Sequence, residues 1–348
     1  MVNMLIAIVI ILAILVLARV IHVFELGSKL RGENPSNITE GDNRTQATLV
    51  VLGGTGFMFY VIYQIFWGPE LLPISASAHG VKTDFLLNLS FIIILPVFFI
   101  THILLIYFCY KYFFRPNRKS DFFAHSTKLE AIWTIIPTIV LSSLIIYGIG
   151  TWNEITGPAP EEAMVVEIYA KQFDWTVRYA GSDNQLGASG YRLIEGANTL
   201  GLDTTDTASA DDKIVRGEFH LPVGKAVVFK FHSRDVIHSA YMPHFRAQMN
   251  CVPGMTTQFH FVPTITSAAM KATTSNPSFE YILLCNKICG AAHNNMQMNI
   301  IVESEADFNA WFAKQKSVGE QNAVVEAPAD SLKIDTVVLI DSTTTATL

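Results

Sequence analysis

The apolar positions of this chain follow two different rhythms. Before residue 152 they form long, nearly unbroken runs, and after it they come in short alternating stretches separated by turns. Four of the long runs, 2–23, 48–67, 85–114 and 131–149, reach the length a helix needs to cross a bilayer. The first is broken only by Arg19 and His22. It has no basic leader and outlasts the apolar core of a signal peptide, so it is expected to be a retained span. The second carries Gly53-Gly54-Thr55-Gly56, and the third and fourth contain Pro96 and Pro137, with a kink expected at Pro96. Beyond residue 163 the stretches 164–170, 173–179, 226–232, 257–262, 279–284 and 297–303 read as strands. Short strands at this spacing predict a sandwich or Greek-key barrel.

Between them, 198–212 is polar and rich in Gly, Thr and Asp, which predicts a surface insertion. Ser304-Glu305-Ala306-Asp307 is a capping-box pattern opening a short helix, with Phe308, Trp311 and Phe312 on one face. After Ser317 no period is visible, and the tail is expected to be extended or partly ordered. The organisation is then a transmembrane region of four helices over 1–151, a β-domain over 152–316 and a tail over 317–348. Half of the 348 residues are apolar, as a membrane part plus one globular domain requires.

Charge orients the spans. The loop after the first carries Lys29, Arg31 and Arg44, and the loop after the third carries Lys111, Arg115, Arg118, Lys119 and Lys128. Between the second and third there is only Lys82. Basic loops stay in the cytoplasm, so the N-terminus and the β-domain should lie outside. Residues 152–348 hold 22 acidic and 14 basic side chains, a net of about −8. That suits attraction of a basic partner, or simply solubility; a nucleic-acid partner is not expected.

The densest chemistry is Cys285-Asn-Lys-Ile-Cys289-Gly-Ala-Ala-His293-Asn-Asn-Met296, placed between two predicted strands. A second imidazole, His238, is available upstream in Asp235-Val-Ile-His238-Ser. Thiolate, imidazole and thioether are the soft donors copper prefers, with methionine as a weak tuning ligand. Two nearby cysteines in an oxidising compartment also suit a disulfide, and four N/S donors suit structural zinc. The histidine and methionine at fixed offsets, with the upstream histidine, favour copper. A mononuclear blue-copper site needs one cysteine, and here there are two.

The spacing C-x3-C-x3-H-x2-M with a DVIHS histidine before it resembles the binuclear copper (CuA) centre of cytochrome c oxidase subunit II. The resemblance covers the third and fourth spans and nearly all of 164–312. It implies a cupredoxin-like β-barrel outside the membrane and two copper ions. Cys285 and Cys289 would bridge them, His238 and His293 would cap one each, and Met296 and the main-chain carbonyl of Lys287 would be weak ligands. It implies a relay of electrons from a cytochrome c to haem a in subunit I, where the haems and a third copper would reside. Oxygen reduction and proton pumping would belong to that subunit. Expected partners are subunit I, other oxidase subunits, the bilayer and the cytochrome c, soluble or in a supercomplex. The expected location is a bacterial inner membrane with the β-domain in the periplasm.

The family's aromatic stretch, typically Gln-Trp-x-Trp, is here Gln172-Phe173-Asp174-Trp175. Trp175 matches the second tryptophan, while Phe173 replaces the one through which electrons usually arrive. Glu130 matches a glutamate at the mouth of a proton-uptake path, the role the resemblance implies for it, with a solvated residue beside Lys128 as the alternative. Many relatives carry Glu where this chain has Lys287, and that Glu helps bind a magnesium ion; an ammonium cannot. Cys109 reads as an apolar filler and Cys251 as a buried free thiol. His220, His232 and His260 read as packed or surface residues, and His244 as a neighbour of the site or a subunit contact. The alternative is a copper-free docking subunit of a quinol oxidase, against which the complete donor set argues.

Overall fold

The computed structural model describes residues 2–30, 39–122, 124–196, 198–203 and 205–321. The chain divides into two compact units, Met1–Leu71 with Leu89–Thr134, and Leu72–Asn88 with Ile135–Leu348.

The first unit is helical. It contains α1 (Val2–Leu30), α2 (Glu40–Trp67), most of α3 (Ala78–Lys111) and the first turns of α4 (Thr127–Thr156). Among the described residues, α2, α3 and α4 are each long and apolar enough to cross a membrane. The first expected run lies within α1. Thr39 caps α2, its hydroxyl accepting from the Asp42 amide, and Glu40 and Asp42 complement the positive end of the helix. Gly54 lets α2 approach α3, since an added Cβ would meet Ile106 at 2.9 Å. Pro96 and Pro137 both sit inside continuous helices. All three of these helices begin before the expected apolar runs, and α2 does so through a polar first turn capped by Thr39, whereas α3 ends at Lys111, short of the expected 114.

Among the described residues the second unit is built on ten strands: β1 (Met164–Lys171), β2 (Asp174–Tyr179), β3 (Lys213–Val215), β4 (Glu218–Pro222), β5 (Val227–Ser233), β6 (His238–Met242), β7 (Ala247–Cys251), β8 (Thr257–Phe261), β9 (Tyr281–Cys285) and β10 (Gln297–Glu303). They form two five-stranded sheets, ordered β3-β2-β1-β5-β8 and β4-β10-β9-β6-β7. β1 pairs with β5 and β4 with β10 in parallel, and the other pairs are antiparallel. Alternation builds the core: Val166, Ile168 and Ala170 of β1 point inward to meet Trp175, Val177 and Tyr179 of β2. Phe219, Phe229, Phe231 and Phe259 are fully buried among them, each contributing about 1.5–3 kcal/mol of apolar transfer. Two short helices, α5 (Ser267–Thr273) and α6 (Glu305–Ala313), complete the unit. The Ser304 hydroxyl accepts from the Asp307 amide as its pattern predicts, and Phe308, Trp311 and Phe312 ring Tyr179.

Two segments differ from expectation. The stretch before α3 is laced to the β-domain: Ala76 donates to the His244 carbonyl at 2.7 Å and Ala78 to that of Val262 at 3.0 Å. Arg246 pairs with Asp84 at 2.7 Å. The polar segment 198–212 is only partly a surface insertion. Leu200 and Leu202 pack with Val318, Tyr169 and Ile214, and Asp212 is wholly buried. Its carboxylate accepts from the Gly187 amide at 3.1 Å and from Arg178 at 3.3 Å, while Arg178 also donates to Glu167 at 2.6 Å. Composition hid this because a buried, paired charge reads as a surface residue. Burial pushes the Asp212 carboxyl up to about 6, against the pull of Arg178. Of the tail, 322–348 lies outside the described residues; Val318 donates to the Asp212 carbonyl at 2.9 Å.

Candidate metal centre

Sheet pairing brings the donors together. His238 opens β6 and Cys285 closes β9, so this thiol ends a strand rather than lying on the loop. The two strands are neighbours, with Ala240 opposite Cys285. The loop from Asn286 then returns through a short turn at His293–Asn295 to β10, which pairs with β9. It is pinned at its base, where Asn286 donates to the Ser239 carbonyl at 2.9 Å and Cys285 to that of Met296 at 3.1 Å.

The two sulfur atoms, Cys285 Sγ and Cys289 Sγ, are 3.8 Å apart, far beyond the roughly 2.05 Å of a disulfide. His238 Nδ1 lies 3.7 Å from Cys285 Sγ, and His293 Nδ1 lies 3.6 Å from Cys289 Sγ. Met296 Sδ is 3.8 Å from Cys289 Sγ, and the Lys287 carbonyl oxygen is 3.3 Å from Cys285 Sγ. Each thiol therefore has one imidazole and one weak donor beside it. His238, Cys285, Cys289 and Met296 are buried, and ligand atoms of the first three lie within 4.8 Å of one another. Soft donors at these separations fit a thiophilic metal such as copper. Burial, then the neighbouring Cys285, pushes the Cys289 thiol up to about 11, so a metal ion must displace its proton.

Around the donors stands a layer that sequence reasoning passed over. Asp235 Oδ1 accepts from His238 Nε2 at 2.8 Å, and its Oδ2 accepts from the Gln172 amide at 2.7 Å. Burial opposes ionisation of Asp235, yet the bonds from Gln172, His238 and Val236 hold its carboxyl below the usual range. The Gln172 side chain donates to the Cys289 carbonyl. One turn of the first sheet thus holds both the histidine loop and the cysteine loop of the second. A carboxylate three residues before a candidate ligand was the available signal for this layer.

The remaining candidates are placed as follows. Trp175 is buried, its Nε1 3.4 Å from the Met296 carbonyl and its ring 6.3 Å from that of His238. Phe173 is half-buried and covers Gly290. Lys287 is exposed, and Glu130 is exposed in the first turn of α4. Cys251 is a buried free thiol, pushed up to about 12 by burial, and Cys109 is half-buried in α3. His220 is 2.7 Å from Glu303 and stacked on Trp311, while His232 is 3.1 Å from Glu167. His244 packs edge-on against Phe279 and Tyr281, and burial lowers its pKa. His260 is also half-buried and shifted down by burial.

Apolar helices followed by two five-stranded sheets with a buried thiol–imidazole cluster define a membrane-anchored, cupredoxin-like protein with a candidate metal site. Family comparison makes the class specific. Residues 63–149 match the transmembrane domain of cytochrome c oxidase subunit II, and 164–305 match its periplasmic domain. The alternative cytochrome c oxidase subunit 2 of Bradyrhizobium diazoefficiens is 30% identical over 289 residues, covering 82% of this chain and 98% of that one. The cytochrome c oxidase subunit 2 of Thermostichus vulcanus is 28% identical over 272 residues, 71% of this chain and 79% of the relative. The crystal structure of the periplasmic domain of subunit II of the cytochrome oxidase of Bradyrhizobium japonicum is similar at 22% identity and a TM-score of 0.30, covering 45% of this chain and 95% of that one. The chain belongs to the cytochrome c oxidase subunit II family. It is a membrane-anchored subunit of an oxidoreductase complex, with an extracytoplasmic domain and other oxidase subunits as its partners.

Proposed function

We propose that this chain is the electron-accepting subunit of a proton-pumping cytochrome c oxidase, taking electrons from a cytochrome c and delivering them to haem a in subunit I. One observation carries the reading: two buried thiols 3.8 Å apart, each with its own histidine nitrogen within 3.7 Å. Two copper ions would be held by Cys285 and Cys289 between them, His238 and His293 at either end, and Met296 and the Lys287 carbonyl as weak ligands. Such a pair, when bound, supplies one-electron redox chemistry with little reorganisation. The chain's own contribution is rigidity and dryness. β6, β9 and β10 fix three sides of the cluster, and Asp235 and Gln172 fix the loops.

The acidic outer domain favours approach of a basic cytochrome c by steering. Phe173, packed on Gly290 beside the Cys289 loop, would be its aromatic contact, with Trp175 behind it. Glu130 at the start of α4 would serve proton uptake on the cytoplasmic side, and Lys287 would supply the charge of the family's magnesium. The run 2–23 within α1 would be a fourth span, and the domain would face the periplasm of a bacterial inner membrane. A copper-free docking subunit would have no use for the complete donor set.

The test is the purified full chain loaded with copper and followed by optical and EPR spectroscopy. About two coppers per chain, and hyperfine splitting from one electron shared equally by two nuclei, are expected. Cys285→Ser should abolish both. A folded, colourless protein with Cys285 joined to Cys289 would leave the docking subunit as the answer.

A further inference from the structure

The end of α3 distal to Ala78 gathers positive charge that no carboxylate pairs with among the described residues. Lys111, Arg115, Arg118 and Lys119 fall within nine residues, and none has a carboxylate partner among the described residues. Three of them, Lys111, Arg115 and Arg118, are held on aromatic faces instead. Lys111 Nζ lies 5.0 Å from the centre of the Tyr107 ring and 5.4 Å from that of Tyr112. Arg118 Cζ lies 4.4 Å from the same Tyr112 ring, and Arg115 Cζ lies 4.6 Å from Phe113. Arg118 also donates to the Lys111 carbonyl at 2.6 Å, which folds the loop back and fixes two cations over one ring. Like charges drawn together at the edge of a span raise the local positive potential and favour an anion beside them.

A second feature of the same unit shows what kind of anion. Between α2 and α3 runs an apolar groove of about 410 Å³, lined by Thr55, Phe59, Ile62, Phe99, Ile103 and Tyr107. Tyr107 is the residue whose ring carries Lys111, so the groove ends where the cations begin. From Phe99 to Tyr107 the helix rises about 12 Å, enough for a stretch of acyl chain. A free phosphate would use the cations and ignore the groove. A neutral lipid would use the groove and leave the cations unpaired.

We propose that this corner binds an anionic phospholipid, its phosphate among Lys111, Arg115 and Arg118 and one acyl chain in the groove. The proposal is independent of the copper reading, because it concerns other residues and needs no metal. It follows the general attraction of juxtamembrane basic clusters for anionic headgroups.

The test is native mass spectrometry of the delipidated full chain in detergent, titrated with phosphatidylglycerol or cardiolipin and, separately, with phosphatidylcholine of the same acyl chains. Anionic lipid should bind about a hundredfold more tightly than phosphatidylcholine. Arg115→Gln with Arg118→Gln should remove about thirtyfold of that affinity, leaving the other lysines to orient the chain. Should that variant fail to insert, Tyr112→Leu withdraws the shared ring and should weaken anionic binding about threefold. Ile103→Trp, which fills the groove, should weaken both lipid classes and leave their ratio unchanged. Equal affinity for both classes, an unaltered preference in the variants that insert, or displacement by millimolar inorganic phosphate alone would overturn the assignment.

Discussion

Asp235 and His238 form a pair in which the carboxylate takes Nε2–H at 2.8 Å, and the other ring nitrogen is left facing Cys285 at 3.7 Å. An ionised carboxylate only accepts, so it fixes which nitrogen carries the proton and frees the lone pair of Nδ1 for a metal. Asp235→Ala should therefore weaken copper binding about 10–100-fold without unfolding the domain. Competition against a chelator of known affinity measures this, with circular dichroism as the folding control. An unchanged affinity would mean that packing alone orients the ring.

The donors were legible in the sequence because ligand chemistry restricts residue type and spacing: Cys285, Cys289, His293 and Met296 could be named as a set. The layer behind them was not, since Gln172 acts through a main-chain amide and a carboxamide that any polar surface residue also carries. Strands with clean alternation, such as β1 and β10, were found within a residue or so. β3, with three residues, and β7, reading Ala-Gln-Met-Asn-Cys, were missed because neither is long or apolar enough to show a period. β4 was missed too, although Phe219 and Leu221 are wholly buried, because its pairing with β10 is parallel and distant in sequence. The short helix α5 was missed for the same lack of length. The helices α2, α3 and α4 could be read from run length alone, whereas the stretch 72–80 gave no sign that it would join the β-domain.

Gly290 is the one position in the metal loop where a side chain is excluded twice. Its φ of +146° disfavours any L-residue, and an added Cβ would meet Phe173 Cζ at 2.7 Å and Gln172 Nε2 at 2.8 Å. Gly290→Ala should cost about 1–3 kcal/mol and blur the copper spectrum as the loop shifts. Adding Phe173→Ala should recover part of the stability, because it removes the contact with the ring and leaves that with Gln172 and the backbone strain. Thermal unfolding of the two variants decides it; an alanine that costs nothing would show that the loop yields freely.

The buried Asp212 makes stability depend on pH in an unusual direction for a carboxylate. Its folded pKa of about 6 lies above the ordinary 3.8, so the folded state binds the proton more tightly than the unfolded one. The stabilisation is complete below about pH 4 and is lost as pH rises through about 6. His232, half-buried and shifted down by burial, acts in the opposite sense, so the wild type alone does not isolate the effect. The difference in stability between wild type and Asp212→Asn should shift by on the order of 1–3 kcal/mol in favour of the wild type as pH is lowered from 7 to 4. Denaturant unfolding of the two chains across that range measures it. A difference independent of pH would show that Arg178 keeps Asp212 ionised throughout.

Cys251 stands opposite His238 in the β6–β7 register, close enough to raise the question of a third thiolate ligand. The structure answers through burial. The side chain is wholly enclosed in the core, and burial pushes the thiol up to about 12, so it is neutral, inert and shaped to pack. Cys251→Ala should keep the full copper content and the same optical spectrum while losing about 1–2 kcal/mol from the small cavity left behind. Cys289→Ala, although also buried at the edge of the core, should differ in losing the spectrum, because its thiol lies 3.8 Å from that of Cys285 and faces the His293 nitrogen at 3.6 Å. Copper analysis and unfolding curves on both variants separate the two roles. Loss of copper in Cys251→Ala with the fold intact would make it a ligand after all.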